Sequence, residues 1–159
     1  MAGAMGSEKH ASDNPSAEKQ FTVDSANKTL PLVRAIVRDI VDLYRDVTER
    51  KGRLEGLRKR RGKAAQRQDD PYREEVEQIQ QDLEKDVAKL QGFVDELNDI
   101  GIELKDPAVG LVDFPTQMDG KSAYLCWQLG EVEVQFWHSI EAGYANKEPL
   151  APRPTDHAV

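Results

Sequence analysis

Cysteine, aromatic residues and long apolar runs are all scarce in this sequence of 159 residues. Its single cysteine, Cys126, excludes an internal disulfide and any zinc or iron–sulfur site built from several cysteines. No stretch approaches the ~20 consecutive apolar residues of a membrane-spanning helix, so no membrane span is expected. Eleven glycines and eight prolines are too few for a collagen-like or low-complexity chain. The low cysteine content fits the reducing cytoplasm, where we expect this protein.

Charged residues, in contrast, are abundant. They make up 32% of the chain against 38% for the apolar set, and the formal net charge is -7. A chain of this length buries about two-thirds of its unfolded surface, so a sizeable core needs no disulfide support. We expect a single domain at residues 21–150.

The two ends of the chain lack residues that could build a core. Residues 1–20 contain no apolar run and no signal-peptide core, which predicts a disordered tail. Within it, the segment Gly3-Ala4-Met5-Gly6-Ser7 is typical of a scar left by tag removal. Residues 151–159 are rich in proline, which cannot extend a helix or a central strand, and are predicted to form a second tail.

The apolar spacing predicts a first helix within residues 21–68. Thr22 is the expected N-cap, followed by Asp24 in the first turn. Pro31 falls inside the pattern, and since proline removes a backbone hydrogen bond, we expect a kink or a short first helix ending near Leu30. Further apolar residues widen the apolar surface of the first half of this helix, and we expect that surface to pack on the sheet. The stripe follows helical spacing: Leu30, Val33, Val37, Ile40, Tyr44, Val47, Leu54 and Leu57.

A second helix is predicted at residues 69–101. Asp69 and Asp70 resemble a cap with Pro71 at the first helical position, and Gly101 stands where a left-handed cap is wanted. Two such helices joined by a short polar break imply an antiparallel hairpin, which should project from the domain or pair with a second copy. The apolar stripe is close to a heptad repeat: Val76, Ile79, Leu83, Val87, Leu90, Val94, Leu97 and Ile100.

The apolar period then changes, which predicts a β region at residues 102–140. Asp119-Gly120 is a strong signal for a two-residue hairpin turn. A similar turn at Leu129-Gly130 would join strands at residues 121–127 and 132–138, whereas a bulge at Gly130 would reverse one strand's face. The first register is favoured because it collects an apolar face: Ala123, Leu125, Trp127, Val132, Val134 and Phe136. His138 shares the face of Phe136 in either register.

Helices followed by strands predict an α+β fold, with a long antiparallel helical hairpin packed on a small antiparallel sheet at the C-terminal end. Several short motifs stand in order between residues 21 and 150: Phe21-Thr22-Val23, Ala26-Asn27, Leu30-Pro31-Leu32-Val33, Gly110-Leu111-Val112-Asp113-Phe114-Pro115, Leu125-Cys126-Trp127, Gly130-Glu131, Trp137-His138 and Gly143-Tyr144. Together they resemble a prokaryotic family named domain of unknown function 2203. The resemblance implies a fold but no reaction. Where the family pattern has glycine-arginine before the final Pro-Leu, this chain has Asn146-Lys147-Glu148-Pro149-Leu150. Lysine lacks the bidentate fork of arginine, so the resemblance implies no arginine-type anion contact here.

Four side chains of the β region are candidates for a polar site. Asp113 lies in an apolar strand, where a carboxylate is costly unless it is paired or bound to metal. With Glu131, His138 and Glu141 it could hold a divalent ion through one nitrogen and several oxygens. In a three-stranded meander Asp113 and His138 lie on the outer strands, about 10 Å apart, which argues against a direct pair. We nevertheless expect them to converge on a polar pocket, with Glu141 as third member and Glu131 outside it, because few other partners are near.

Each candidate also has a simpler interpretation. Asp113 could be a salt-bridged strand-end acid, His138 a hydrogen-bonded histidine at the edge of the core, and Glu131 a solvated turn acid. Cys126 could act as a nucleophile with His138 as its base. Its mid-strand position between two apolar residues is, however, typical of an inert buried thiol.

The segment from Arg50 to Arg67 contains nine basic residues and a single acidic residue, Glu55, and we call it the basic run. It could meet the phosphates of nucleic acid. The favoured interpretation is that these cations complement the helix dipole and the acids that follow. No aromatic residue lies within the run, so it offers no stacking platform for single strands. The candidate contacts are Arg58, Lys59, Arg60, Arg61 and Lys63.

No catalytic signature is complete, so the sequence favours a non-enzymatic interaction or scaffold module, self-associating or bound to a protein partner. The first alternative is a small metal- or ligand-binding enzyme that uses Asp113, His138 and Glu141. The second is a nucleic-acid binder that uses the basic run.

Overall fold

The computed structural model describes residues 20–62 and 71–150. Two long helices come first: α1 (Val23–Arg61) and α2 (Arg73–Asp99). Five strands follow: β1 (Glu103–Asp106), β2 (Leu111–Met118), β3 (Lys121–Gln128), β4 (Phe136–Ser139) and β5 (Glu148–Pro149). A short 3-10 helix, Tyr144–Asn146, precedes β5. The predicted α+β class, with a helical hairpin on an antiparallel sheet, is confirmed.

The start of α1 is held by a capping box. The Ser25 backbone N–H donates to Thr22 Oγ1 at 3.1 Å, and the Thr22 N–H donates to Ser25 Oγ at 2.8 Å. These bonds satisfy donors that have no partner within the helix, as expected for this N-cap. The helix continues through Pro31 as far as Arg61, so the alternative of a short helix ending near Leu30 is wrong.

The end of α2 is a Schellman motif built on Gly101. The Ile102 N–H donates to the Leu97 carbonyl at 3.1 Å and the Gly101 N–H to the Asn98 carbonyl at 2.9 Å. Gly101 has a φ of 89°, the left-handed conformation that glycine adopts readily. Ile102 and Leu97 are both fully buried, which adds the apolar contact typical of this motif. The predicted glycine cap is therefore confirmed.

The start of α2 differs from the sequence expectation. The helix begins at Arg73, with Pro71 and Tyr72 in the turn before it, so Pro71 is not its first residue. The predicted cap at Asp69 and Asp70 lies outside the described residues. The same is true of nearly all of the predicted N-terminal tail and of the whole C-terminal one.

The five strands form one antiparallel sheet in the order β1-β2-β3-β4-β5. The β2–β3 hairpin turns at Asp119 and Gly120, with φ values of 54° and 78°. Positive φ at both central residues is the signature of a type I′ turn, so this prediction is confirmed. The predicted strand from Val109 begins at Leu111, because residues 107–110 form a turn. The sheet also extends past residue 140, since β5 pairs with β4.

The sheet buries one face against the first half of α1. Val112, Phe114, Leu125 and Trp127 on that face are all fully buried. They join a core cluster with residues of α1: Ala26, Leu30, Val33, Ile36, Val37 and Ile40. The expectation that the wide apolar arc of α1 packs on the sheet agrees with this cluster. Residues at odd positions of β2 consequently lie on the opposite face.

The predicted tight turn at Leu129-Gly130 is wrong. Strand β4 starts only at Phe136, which pairs with Cys126, so residues 129–135 form a wide loop. Phe136 and His138 therefore lie on the face opposite Leu125 and Trp127, not with them. Val134 is still buried in the core, but as a loop residue, whereas Val132 is 84% exposed. Among the described residues, neither helix has a stretch long and apolar enough to cross a bilayer.

Candidate functional site

The side chains of Asp113, Cys126 and His138 meet on the sheet face that points away from the helices. Asp113 in β2 pairs with Cys126 in β3, and His138 in β4 pairs with Tyr124, the next residue on the same face of β3. One ligand atom from each of the three side chains lies within 4.8 Å of the other two. The exposed fractions are 1% for Asp113, 1% for Cys126 and 5% for His138. We name these three residues the Asp–Cys–His cluster.

Both ring nitrogens of His138 are engaged by oxygen atoms. Nδ1 lies 2.9 Å from the backbone carbonyl oxygen of Ser139, and Nε2 lies 3.0 Å from Asp113 Oδ2. A carbonyl oxygen can only accept, so the first contact requires a proton on Nδ1. The bond between Nε2 and Asp113 then needs one further proton, held by either the imidazole or the carboxyl group.

Asp113 is incompletely satisfied in this arrangement. Its Oδ2 contacts His138, but its Oδ1 is buried without a hydrogen-bond partner. Burial raises the pKa of the Asp113 carboxyl above its ordinary value, because the charged form loses its hydration; the charge of His138 and its hydrogen bond oppose this shift. A buried oxygen without a partner is costly, so Oδ1 is a donor atom available to a ligand.

Cys126 is a poor nucleophile in this setting. Burial, followed by the negative charge of Asp113, raises the pKa of its thiol to about 11. The reactive form of cysteine is the thiolate, which is therefore rare at neutral pH. His138 has no ring nitrogen left to serve as base, since Ser139 and Asp113 occupy both. The geometry thus argues against covalent catalysis by Cys126.

A ring of aromatic and charged side chains surrounds the cluster. The Tyr124 ring lies 5.4 Å from that of His138, and Lys105 Nζ lies 5.6 Å from the Tyr124 ring centre. On the other side, Lys147 Nζ lies 4.3 Å from the centre of the Phe136 ring and donates to the Tyr144 hydroxyl at 2.9 Å. That hydrogen bond raises the pKa of Lys147, which keeps this cation charged.

The other two candidate acids lie apart from this contact. Glu131 Oε1 accepts from the Gln128 N–H at 2.8 Å, and its carbonyl accepts from Trp127 Nε1 at 3.0 Å, so it stabilises the wide loop. Glu141 is exposed in the turn after β4. The third member of the cluster is instead Cys126, which the sequence suggested only as a nucleophile. The available signal was register, because the Asp119-Gly120 turn sets Asp113 opposite Cys126.

A second candidate surface lies on α2. Of its 27 residues, only Leu97 is buried, although its apolar stripe has near-heptad spacing. Val87, in the middle of the stripe, is 43% exposed. Arg50 of α1 forms an ion pair with Asp86 beside it. Packing within the chain thus leaves Val87 exposed and most of the other residues of this stripe only half-buried.

The basic run is a third candidate. Arg58, Lys59 and Arg60 are exposed on the last turns of α1, and Arg61 is half-buried. Arg50, at the start of the run, is engaged by Asp86. Lys63 and Arg67 lie outside the described residues. The run therefore presents exposed cations at one end of the hairpin.

Comparison with known proteins gives a family but no activity. No curated protein and no solved structure matches the chain. The profile described as "Uncharacterized conserved protein (DUF2203)" matches residues 19–150, which include both helices, the sheet and the Asp–Cys–His cluster. The chain therefore belongs to the DUF2203 family of uncharacterized conserved proteins.

Proposed function

We propose that this protein is a non-enzymatic interaction module that self-associates through the apolar stripe of α2. The observation that carries the proposal is the incomplete burial of this stripe. Val76, Ile79 and Leu83 are only half-buried, and Val87 is 43% exposed. A stripe with near-heptad spacing is a typical surface for helix–helix packing, and a further helix would remove it from water.

The charge pattern of the hairpin favours a second copy of the chain as the partner. Helix α2 contains nine acids and three bases, whereas α1 between Arg45 and Arg61 contains eight bases and three acids. Two α2 helices side by side would repel each other. In a two-fold dimer, α2 of each copy can pack against α1 of the other, and the opposite charges then attract. The proposed assembly is an antiparallel four-helix bundle.

Two valines provide a matched test of this interface. Val87 on α2 and Val109 in the β1–β2 turn are both 43% exposed. Val87→Asp should convert a dimer into a monomer, because it places a charge in the centre of an apolar contact, whereas Val109→Asp should leave the dimer intact. Sedimentation velocity across the micromolar range measures both. Added salt should weaken the wild-type dimer, because the attraction between α1 and α2 is screened.

Several results would contradict this proposal. A wild-type chain that stays monomeric up to millimolar concentration does not use α2 for self-association. Equal effects of the two aspartate variants would assign the dimer to another surface. A dimer that salt strengthens would contradict the proposed pairing of α2 with α1.

Nucleic-acid binding is a second candidate function, favoured by the exposure of Arg58, Lys59 and Arg60. Such binding would depend strongly on salt, because each phosphate contact releases counterions. Replacing both Arg60 and Arg61 with glutamine should then reduce retention on duplex DNA at low salt. If wild type and variant elute together, the cations serve the helix dipole and local pairing alone.

A further inference from the structure

We propose that the Asp–Cys–His cluster is a zinc-binding site in which Asp113, Cys126 and His138 supply the protein ligands. The proposal is independent of self-association through α2. It rests on the positions of the ligand atoms, on the orientation of the histidine and on an unsatisfied carboxylate oxygen.

The ligand atoms are close enough to share one metal ion. Bonds of about 2.0 Å to nitrogen or oxygen and 2.3 Å to sulfur, at tetrahedral angles, separate two ligand atoms by roughly 3.5 Å. The three ligand atoms lie within 4.8 Å of one another, and Nε2 of His138 is 3.0 Å from Oδ2 of Asp113. Small side-chain rotations would bring the thiol nearer and separate the hydrogen-bonded pair slightly. The metal would then replace the proton that joins His138 to Asp113.

His138 is oriented as a metal-ligating histidine usually is. Such a residue donates its other ring N–H to a carbonyl or carboxylate, which fixes the ring and raises the basicity of the ligating nitrogen. Here Nδ1 donates to the Ser139 carbonyl at 2.9 Å. The ligating nitrogen, Nε2, consequently faces Asp113 and Cys126.

The donor set favours zinc over the hard cations. Magnesium and calcium prefer oxygen ligands, whereas a combination of thiolate, imidazole and carboxylate suits a borderline ion such as zinc. Three protein ligands are one short of tetrahedral coordination. The two oxygens of one carboxylate are too close together to fill two tetrahedral positions, so the fourth ligand would be a water molecule. Asp113 Oδ1, which is buried and without a partner, can accept a hydrogen bond from that water. Metal binding would therefore satisfy the one cluster oxygen that the fold leaves without a hydrogen bond.

The single cysteine allows a direct spectroscopic test. The full chain, stripped of metal by a chelator, is titrated with Co²⁺, which gives a near-ultraviolet charge-transfer band when a thiolate ligates it. We expect saturation at one Co²⁺ per chain, loss of the band when Zn²⁺ is added, and no band with Cys126→Ser. Glu141→Gln is the matched control, since Glu141 is the exposed acid that the sequence suggested as third ligand, and it should keep the band.

A measurement on the wild-type chain keeps the proposal testable if Cys126→Ser fails to fold. Zn²⁺ should raise the thermal unfolding midpoint, because a ligand that binds only the folded state stabilises it, whereas Mg²⁺ should not. The proposal is overturned if wild type gives no charge-transfer band, if folded Cys126→Ser retains it, or if Zn²⁺ and Mg²⁺ act equally. Loss of the band in Glu141→Gln would likewise contradict the proposed ligand set.

Discussion

His138 and Asp113 form a hydrogen bond of 3.0 Å although strand β3 separates their strands. Two strands apart in a sheet corresponds to about 10 Å between backbones, so the two side chains must span β3 together. The residue beneath them is Cys126, which is small enough to leave this space open. A larger side chain there would fill the space in which the two polar groups meet.

The first prediction concerns the coupling between these two residues. Asp113→Ala leaves Nε2 of His138 without its partner, and His138→Ala leaves both oxygens of Asp113 buried and unsatisfied. Each single change should therefore be strongly destabilising, by about 2–3 kcal/mol. The double variant should lose less than the sum of the single losses, by more than ~0.5 kcal/mol. Urea unfolding of the four metal-free proteins measures this, and additive losses would mean that the pair does not interact.

The second prediction is a pH dependence with a defined sign. Because the pKa of Asp113 is raised above its ordinary value of 3.8, the folded state binds more protons than the unfolded state between the two values. Stability falls with rising pH wherever the folded state binds more protons. The contribution of Asp113 should thus be most favourable in acid and decline as pH rises through the raised pKa.

The comparison that isolates this effect is wild type against Asp113→Asn, without metal. The difference in the free energy of unfolding, wild type minus variant, should decrease from acid to neutral pH. Repeating the pair in a His138→Ala background removes the charge and the hydrogen bond that oppose the raised pKa of Asp113, so the decrease should be larger there. A difference that stays constant or grows with pH would contradict the assignment.

The helices and the first hairpin could be predicted because local chemistry determines them. Thr22, Gly101 and Asp119-Gly120 each act within a few residues, through a cap or through positive φ. The start of α2 was less predictable, because the segment before Pro71 offers several cap residues and proline is also common in turns.

The β3–β4 connection could not be predicted, because long-range contacts determine it. The Val134 N–H donates to Asn27 Oδ1 in α1 at 2.8 Å, and the Leu150 N–H donates to the Gln135 carbonyl at 2.9 Å. These bonds hold residues 131–135 outside the hairpin that their alternating pattern favours. The resulting register sets Phe136 opposite Cys126, and His138 accordingly lies beside the cluster.

The same register explains what could be predicted of the site. The free-energy cost of burying an unpaired carboxylate suggested that Asp113 needs a partner. His138 was one of the few candidates in the same part of the chain. The role of Cys126 required the knowledge that its side chain lies between theirs, on the face opposite the core. A local pattern does not contain this information, since it assigned His138 to the face of Val132 and Val134.

The third prediction is that Cys126 is chemically protected in the native state. Its side chain is 1% exposed and the pKa of its thiol is raised to about 11, so both access and thiolate content are low. An aromatic disulfide reagent at neutral pH should therefore label the native protein far more slowly than the urea-unfolded protein. Equally fast labelling of both would show that the thiol is open to solvent.

The fourth prediction concerns two glycines that share a backbone conformation but differ in their surroundings. Gly110 and Gly120 have φ values of 74° and 78°. A Cβ at Gly110 would lie 2.7 Å from Val37 Cγ1 and 2.8 Å from Leu129 Cβ, whereas a Cβ at Gly120 would have nothing within 4 Å. Gly120→Ala should therefore cost only the strain of positive φ, about 1 kcal/mol. Gly110→Ala adds a clash between the β1–β2 turn and α1.

The expected additional loss at Gly110 is roughly 1–3 kcal/mol, the usual cost of overpacking in a core. Neither contacting atom can move away easily. Val37 has a short branched side chain that is fully buried, and the Leu129 contact is at its Cβ, which moves only with the backbone. The turn or the helix must therefore shift to relieve the clash. Urea unfolding of the two alanine variants measures the difference. Equal losses would mean that α1 does not approach the turn as closely as these distances require.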